Sequence, residues 1–212
     1  MFCKKKSPTA NKHGEDTAKE ILKVATKLFG EKGFDGVSTK EICDKAKANI
    51  SSLHYHFETK ENLFYSVIKQ SGEPFLASTT RILTPPQTLD EMKIRLELFL
   101  IETLTHYIEN KDLQHIIYRE LGYKTERSQM LFKLFIPVIE TVKNFFNEAQ
   151  KNKILKEDCD STFAAFVFLK QFQPEFDTQG FKNKYFDLDL ETPEGRKKFI
   201  QKSLQHFLNG IV

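Results

Sequence analysis

Hydrophobic residues recur at helical spacing along most of this chain. The clearest pattern lies near the N-terminus, where five apolar residues occupy positions i, i+3, i+4, i+7 and i+8: Ile21, Val24, Ala25, Leu28 and Phe29. Thr17 and Glu20 have the spacing of a capping box, so the predicted helix begins near Thr17. Gly33 is a natural C-terminal stop for it. The pattern predicts an amphipathic first helix.

The segment 38–60 predicts two short helices separated by a tight turn. Ser38 and Glu41 form a second capping box, which starts a helix that ends near Ala46. Residues 47–49 form the turn, and Asn49 is a good N-cap for the following helix. Three apolar residues give that helix a narrow inward stripe: Ile50, Leu53 and Phe57.

The opposite face of this third helix carries short hydroxyls and hydrogen-bonding rings: Ser51, Ser52, Tyr55 and His56. Such a face suits the major groove of DNA, where side chains must donate to and accept from base edges. The same helix-turn-helix geometry also occurs in helical proteins that never bind DNA, so spacing alone leaves both interpretations open.

The remainder of the chain also predicts helices. Thr59 caps a fourth helix, which Gly72 and Pro74 are expected to weaken or kink. Five further helical patterns follow the break at residues 84–86: residues 88–107, 113–121, 127–151 with a kink at Pro137, 163–172, and 193–210. Residues 173–191 predict a loop packed on the surface. No segment has a convincing strand pattern, so the predicted fold class is all-α.

Composition narrows the class of protein. The chain has 212 residues, of which 40% are hydrophobic and 29% are charged, which is ordinary for a soluble globular protein. The three cysteines are far apart and form no CxxC pair, which favours a reducing, cytoplasmic setting without structural zinc or disulfides. No apolar stretch is long enough to cross a membrane, and the N-terminus lacks the pattern of a signal peptide.

The positive charge is concentrated at one end. Residues 1–62 hold 12 lysines and 9 acidic residues, whereas residues 63–212 hold 20 basic and 20 acidic residues, so the net charge of +3 lies entirely in the first segment. This is the distribution expected of a phosphate-binding head. Residues 1–14 predict a disordered basic arm, which either follows the DNA backbone or enters a minor groove, or is simply a mobile tail.

Residues 15–68 resemble the N-terminal domain of the TetR family of transcriptional regulators. The resemblance is carried by two stretches, ILKVATKLFGEKGFDGVSTKEICDKA and LHYHFETKENLF. It implies a three-helix DNA-binding head, residues 15–62, followed by a larger helical ligand-binding and dimerisation domain, residues 63–212. The chain departs from the family at the turn, where Lys47 replaces the usual glycine. If that backbone adopts a positive φ, the side chain costs on the order of 1 kcal/mol.

The resemblance also implies candidate DNA contacts. Five residues match positions that usually meet phosphates: Thr39, Ser52, His54, His56 and Lys60. Four match positions that usually face base edges: Lys40, Ile50, Ser51 and Tyr55. Lysine can donate to guanine, and an apolar or aromatic side chain can pack on a thymine methyl group. The alternative for each residue is a solvated helix face.

Other chemistries find little support in the sequence. His54 and His56 are two residues apart, so they point about 200° apart on a helix and cannot bind one metal ion. The sequence contains no HExxH, GxSxG or glycine-rich phosphate loop. We therefore expect neither catalytic activity nor a metal or cofactor.

The second domain is rich in phenylalanine and is expected to bind an apolar or amphipathic molecule. The candidate ligand-binding residues are Phe99, Thr103, His106, Tyr107, His115, Tyr118, Phe132, Phe135, Phe163, Phe166 and Phe172. The alternative is that these rings are simply core. The last two helices carry candidate dimer contacts, as the resemblance implies: Phe163, Phe166, Val167, Phe199, Leu204, Phe207 and Leu208. Whether Phe163 and Phe166 face the pocket or the dimer interface stays open.

Together these expectations describe a homodimeric repressor that an effector releases from its DNA. Two recognition helices would lie about 34–36 Å apart in successive major grooves of a pseudo-palindromic operator. The effector must bind the two conformations with different affinity in order to act. Two alternatives are a helical DNA binder without ligand response and, with less support, a helical enzyme or lipid carrier.

Overall fold

The computed structural model of the chain describes residues 8–122, 125–171 and 189–212, with the side chains of all of these except residues 8–13 and Gln171. Within those ranges the regular secondary structure is helical throughout, which confirms the predicted all-α class. The helices are α1 Pro8–Lys32, α2 Thr39–Ala46, α3 Ile50–Phe57, α4 Lys60–Ile82, α5 Leu89–Glu109, α6 Lys111–Leu121, α7 Glu126–Lys151, α8 Ser161–Gln171 and α9 Pro193–Ile211.

Helix α1 begins earlier than its sequence pattern predicts. It starts at Pro8, whereas the capping-box pattern placed the start near Thr17. Proline suits the first helical position because its missing N–H has no helical partner there and its φ is already helical. Residues 8–14, which were expected to be part of a disordered arm, are therefore helical, and residues 1–7 lie outside the described ranges.

Two prolines lie inside helices without ending them. Pro74, which was expected to weaken or kink the fourth helix, lies inside α4, a helix of 23 residues that continues past it. Helix α7 likewise continues past Pro137 for 26 residues. Phe172 and most of the predicted loop 173–191 lie outside the described residues.

The chain divides into two compact units. The first takes the chain as far as Gly72 and adds Asn110–Leu131, so it contains α1 to α3, the start of α4, α6 and the start of α7. Its core centres on three packed rings. The ring centroids of Phe29 and Phe34 are 5.7 Å apart, and that of Phe64 lies 5.4 Å from the first and 5.2 Å from the second.

Helix α6 packs closely on α1 within this unit. A Cβ atom placed on Gly30 of α1 would lie 2.9 Å from the carbonyl oxygen of Asp112, at the start of α6. Near the other end of α6, Nη1 of Arg119 donates to the carbonyl oxygen of Phe29 at 3.4 Å. The predicted boundary at residue 62 did not include α6, which belongs with the helix-turn-helix in this unit.

The second unit contains Glu73–Glu109 and Phe132–Val212, and hence the end of α4, α5, most of α7, α8 and α9. Its core is dominated by aromatic and aliphatic side chains. The most deeply buried are Met92, Leu96, Leu100, Val142, Phe145, Phe146 and Phe168. Phe146 and Phe168 lie 5.6 Å apart between ring centroids, and both contact Phe207 of α9. This is the unit that was expected to bind ligand.

Candidate nucleic-acid interface

Helix α2 is capped as its sequence predicts. The Oγ atom of Ser38 accepts a hydrogen bond from the backbone N–H of Glu41 at 3.1 Å. The carboxylate of Glu41 instead accepts from Nζ of Lys32 at 2.6 Å, and this bond lowers the pKa of Glu41. Lys32 is the last residue of α1, so the pair ties the end of α1 to the first turn of α2.

The turn between α2 and α3 is a Schellman motif centred on Lys47. The N–H of Lys47 donates to the carbonyl of Asp44, and the N–H of Ala48 donates to that of Cys43. Lys47 has φ 52° and ψ 36°, the left-handed conformation that favours glycine. Lys47, which stands where glycine is usual in the family, therefore holds a strained backbone conformation in this protein.

Helix α3 is held by a cap at its start and by two buried side chains. Oδ1 of Asn49 accepts from the N–H of Ser52 at 2.7 Å, as predicted. Leu53 and Phe57 are buried against the rest of the head. Ile50, which was predicted to extend this inward stripe, is instead 47% exposed, because at the first position of the helix it lies beyond the edge of the core.

The outward face of the motif presents a mixed polar and apolar surface. Tyr55 is 72% exposed, and Lys40, Ile50 and Ser51 are exposed as well. These are the four residues predicted to face base edges, and they belong to the exposed surface of α2 and α3. Of the predicted phosphate contacts, Thr39 and Ser52 are half-buried. The motif thus combines a buried stripe with an outward face that could contact DNA.

His54 is held by a hydrogen bond that limits what its ring can offer. Its Nδ1 lies 2.8 Å from the carbonyl oxygen of Glu58, which can only accept, so Nδ1 carries the hydrogen. In the neutral ring, Nε2 is then an acceptor and cannot donate to a phosphate. Glu58 has φ 62°, so this bond also braces an unusual backbone at the end of α3.

His56 lies between Tyr55 and the N-terminal part of α1. Its ring centroid is 5.0 Å from that of Tyr55 in an edge-to-face arrangement. A Cβ atom on Gly14 would lie 3.8 Å from Cε1 of His56 and 3.9 Å from its Nε2. The first turns of α1 therefore run alongside the recognition helix, which the sequence pattern did not indicate.

Lys60 is a predicted phosphate contact that also packs on a ring. Its Nζ lies 4.2 Å from the ring centroid of Phe34, at cation–π distance. Burial lowers the pKa of Lys60, and the nearby Arg127 acts in the same direction. Lys60 as a whole is half-buried.

Arg127 connects three parts of the first unit. Its Nε lies 3.1 Å from Oε2 of the buried Glu120 in α6, and its Nη2 lies 3.0 Å from Oδ2 of Asp35 in the α1–α2 loop. Its Cζ atom also lies 4.2 Å from the centroid of Phe34. Arg127 therefore joins the first turn of α7, α6 and the segment that precedes the helix-turn-helix. This arrangement was not predicted, because its partners lie far apart in sequence.

The predicted ligand-binding residues do not share one environment. His115 and Tyr118 are exposed on α6, in the first unit. The other described members belong to the second unit, where Phe99 and Tyr107 are buried in the core. The Thr103 hydroxyl donates to the carbonyl of Phe99, within its own helix. Phe99 and Tyr107 therefore fit the alternative interpretation, in which such rings form the core and do not bind a ligand.

Further members of that set are near an aromatic cluster or exposed. The ring of His106 lies 4.7 Å from Phe75, and Phe75 lies 6.4 Å from Phe99, between centroids. Phe135 is half-buried and Phe132 is exposed on α7. Phe163 and Phe166 are 61% and 55% exposed on α8.

An apolar groove of about 680 Å³ lies between α8 and α9. Its lining includes both exposed rings, and also Phe207, which was predicted as a dimer contact. The lining residues are Cys159, Asp160, Phe163, Ala164, Phe166, Val167, Lys170, His206, Phe207, Gly210 and Ile211. The structure thus places Phe163 and Phe166 on the α8–α9 face together with other predicted dimer residues.

In the part of the chain that the structure describes, no group of three or more histidine, cysteine or acidic side chains could hold a metal ion. No helix there is long and apolar enough to span a membrane.

Comparison with known proteins points to DNA-binding regulators. A family model described as bacterial regulatory proteins, tetR family, matches residues 21–67, which cover the second half of α1, all of α2 and α3, and the start of α4. The HTH-type transcriptional repressor NicS of Pseudomonas putida is 25% identical over 167 residues, or 76% of each chain. The matched segment therefore contains the candidate interface described above.

Solved structures share the whole architecture. The regulator FadR of Bacillus subtilis, solved in complex with stearoyl-CoA, has a TM-score of 0.73 at 16% identity, covering 92% of this chain and 99% of its own. PfmR of Thermus thermophilus, a TetR-family regulator, has a TM-score of 0.65 at 17% identity, covering 89% of this chain and 97% of its own. At these identities the likeness concerns the fold.

Proposed function

We propose that this chain is a TetR-family regulator, a homodimeric repressor released from its operator by a small apolar or amphipathic effector; the match of residues 21–67 to that family's model and the similarity to the repressor NicS support this. The DNA-binding part rests on one observation. Helices α2 and α3 form a capped helix-turn-helix whose inner side chains are buried and whose outer face exposes Lys40, Ser51 and Tyr55. Such a face can enter a major groove without unfolding the motif that presents it.

The exposed side chains of α2 and α3 suggest individual contacts with DNA. Lys40 would donate to a base acceptor such as guanine, and Tyr55 and Ile50 would pack on thymine methyl groups or sugar edges. Thr39, Ser52 and Lys60 would contact phosphates. His54 would reach a phosphate as a donor only in its protonated form, because Nδ1 is committed to the carbonyl of Glu58.

Repression and effector release are supported less directly. NicS, the relative with 25% identity, is named a repressor, so repression is the output we propose for this chain. The second unit is rich in phenylalanine, which favours an apolar or amphipathic effector over a highly charged one.

The dimer is proposed to form through α8 and α9. Phe163 and Phe166 lie next to each other on α8, with ring centroids 6.2 Å apart, and both are more than half exposed. A second copy packed on this face would bury rings that one chain leaves in water. The two α3 helices of such a dimer would then read the two halves of a pseudo-palindromic site.

Selection of operators from random duplex DNA tests the main proposal. We expect enrichment of a pseudo-palindrome whose half-sites are centred about one helical turn apart. Tyr55→Ala and Lys40→Ala should each weaken binding to the selected site by roughly 5- to 150-fold, as expected for about 1–3 kcal/mol per base contact. Lys93→Ala, which removes an exposed lysine of α5 in the second unit, is the matched control. If no sequence is enriched, the DNA-binding proposal is wrong.

The effector half needs a separate test. Binding of 1-anilinonaphthalene-8-sulfonate to the full chain, followed by its displacement with laurate and stearoyl-CoA, reports apolar sites. The same two compounds should then release the selected operator in a gel-shift assay. DNA binding that is unaffected by compounds that do displace the dye would favour the alternative, a DNA binder without ligand response.

A further inference from the structure

The apolar groove between α8 and α9 carries opposite charges at its two ends. Asp160 directly precedes α8 and Lys170 lies in its last turn, and both are exposed residues that line the groove. The exposed rings of Phe163 and Phe166 lie between them on the same helix. Ten residues of helix separate the acid from the base, or about 15 Å. The face therefore has an acidic end, an apolar middle and a basic end.

The carboxylate of Asp160 is fixed at the start of α8. Its Oδ1 accepts hydrogen bonds from the backbone N–H groups of Thr162 and Phe163, each at 2.9 Å, so Asp160 caps the helix. A carboxylate has lone pairs for further donors, so a lysine of another chain can pair with it. Burial raises the pKa of the Cys159 thiol, and Asp158 and Asp160 act in the same direction, which indicates a negative potential at this end of the groove.

The charges and rings are arranged symmetrically about the centre of α8. The midpoint between Asp160 and Lys170 falls at Ala165, and the midpoint of the two rings lies half a residue from it, about 0.75 Å along the helix. In a twofold-symmetric interface, residue i of one copy contacts residue j of the other, and j contacts i. A twofold axis that crosses α8 at right angles at the level of Ala165 therefore brings the acidic end of each copy to the basic end of the other. A parallel arrangement of the two helices would instead place Asp160 against Asp160.

We propose that α8 packs antiparallel on α8 of a second copy. Asp160 of each chain then pairs with Lys170 of the other, and Phe163 of each chain packs on Phe166 of the other. The proposal rests on the α8–α9 dimer proposed above and adds its orientation and its residue pairs. Ion pairs at the rim of an apolar contact contribute more to orientation than to affinity, because the wrong orientation brings like charges together.

Charge reversal at Lys170 is the first test. Lys170→Glu places a carboxylate opposite Asp160 in both symmetric pairs, so two attractions become two repulsions. We expect the dissociation constant of the dimer, measured by sedimentation over a range of protein concentrations, to rise by roughly 10-fold or more. Higher salt should reduce the difference between variant and wild type, because it screens attraction and repulsion alike. An unchanged dissociation constant would overturn the pairing.

Asp160→Asn distinguishes the two orientations by the sign of its effect. Asparagine is as good an N-cap as aspartate, so α8 keeps its cap while the charge is removed. In the antiparallel arrangement the substitution should weaken the wild-type dimer, because it removes an attraction to Lys170. It should strengthen the Lys170→Glu dimer, because there it removes a repulsion. A parallel arrangement predicts a stronger dimer for Asp160→Asn alone, since two aspartates no longer meet, and that result would contradict the proposal.

Cross-linking tests the orientation without relying on affinity. Asp160→Cys and Lys170→Cys are made as separate variants of a chain whose native cysteines are replaced with alanine. A short bis-maleimide is the suitable reagent, because the two Cα atoms of a lysine–aspartate pair can lie further apart than a disulfide allows. A mixture of the two variants should give a covalent dimer, and neither variant alone should. A covalent dimer in either variant alone would show that the same residue of both copies meets, and would exclude the antiparallel arrangement.

Further variants separate failure of the pairing from failure of the dimer. Lys93→Glu makes the same change of charge on α5, outside the groove, and should leave the dissociation constant unchanged. If Phe163→Asp is monomeric but Lys170→Glu dimerises as the wild type does, the dimer stands and the pairing is wrong. If the wild type is itself monomeric, the groove is left to a small apolar ligand, and both the dimer and the pairing are wrong. Thermal unfolding of each variant shows whether the second unit stays folded.

Discussion

Lys47 occupies the turn of the helix-turn-helix in a backbone conformation that is unfavourable for a lysine. Its φ of 52° is compatible with the Schellman turn, but its side chain makes the left-handed conformation costly. Lys153, at the end of α7, has φ 56° in the same kind of turn in the second unit. The chain thus ends one helix in each unit with a left-handed lysine.

Replacement of Lys47 with glycine should stabilise the protein. We expect the free energy of unfolding to rise by about 0.5–1 kcal/mol, since relief of the left-handed strain exceeds the entropy that glycine adds to the unfolded chain. Chemical denaturation measures the change. Lys47→Ala, which keeps a Cβ atom, should give no such gain, and Lys153→Gly should give a similar one. A loss of stability in Lys47→Gly would show that the lysine side chain contributes more than its strain costs.

At the scale of elements, the packing of α6 on α1 depends on the absence of a side chain at Gly30. The carbonyl oxygen, Cα and Cβ of Asp112 would all lie within 3.1 Å of a Cβ atom there, and two of these atoms are backbone. A side chain at Gly30 could therefore be accommodated only if the backbone of α6 moved away from α1. Gly72, inside α4, has no atom within 4 Å of the same position.

The two glycines provide a matched pair of substitutions. Gly30→Ala should destabilise the protein by about 1–3 kcal/mol, because it overpacks a helix contact. Gly72→Ala should stabilise it by about 0.5–1 kcal/mol, because alanine favours a helix interior and has space here. Thermal or urea unfolding measures both. Stabilisation by both substitutions would mean that α6 does not pack on α1 as closely as described.

The ion pairs of Arg127 give a second prediction at this scale. Arg127→Met leaves the buried carboxylate of Glu120 without its partner, so we expect a loss of about 3 kcal/mol or more. The double variant Arg127→Met with Glu120→Gln should recover much of that loss, because the remaining group is neutral. Lys93→Met removes an exposed pair with Asp90 and should cost less than about 1 kcal/mol. A small effect of Arg127→Met would show that Glu120 finds water or another donor.

The sequence predicted local features of the fold well and distant contacts poorly. Ser38 and Asn49 were identified as caps because a capping side chain bonds to its own helix, within three residues. The pairing of Arg127 with Asp35 could not be predicted, since the two residues lie 92 apart and meet only after α6 folds back on α1. Likewise, the extension of α1 to Pro8 has no apolar stripe to indicate it.

The same difference between local and distant features separates the two candidate sites, the DNA-facing residues and the ligand-binding residues. Tyr55, Lys40 and Ser51 are exposed on the predicted face because helical spacing alone sets their direction. The proposed ligand set mixed two units, because phenylalanine content does not show which rings form the core. Phe99 is buried in it, whereas Phe163 on α8 remains exposed.

At the scale of the whole molecule, the apolar α8–α9 face predicts association. Phe163→Asp should convert the protein to a monomer in sedimentation velocity experiments and weaken operator binding, because two half-sites would no longer be bound by one particle. Ile94→Asp on α5 is a suitable control, since Ile94 is 57% exposed and lies outside the groove. A dimeric Phe163→Asp protein would place the interface elsewhere.

The first unit is discontinuous in sequence, yet its two pieces meet at their ends. The Oγ atom of Ser71 donates to Oδ1 of Asn110 at 3.1 Å. Ser71 lies one residue before the end of the first piece, and Asn110 is the first residue of the second piece. Residues 73–109 can therefore be regarded as an insertion into a continuous head. A shortened chain that joins Gly72 to Asn110 through a few residues and stops at Leu131 should retain the α1–α6 packing. We therefore expect the head to fold as a portable module that does not need residues 73–109 or 132–212.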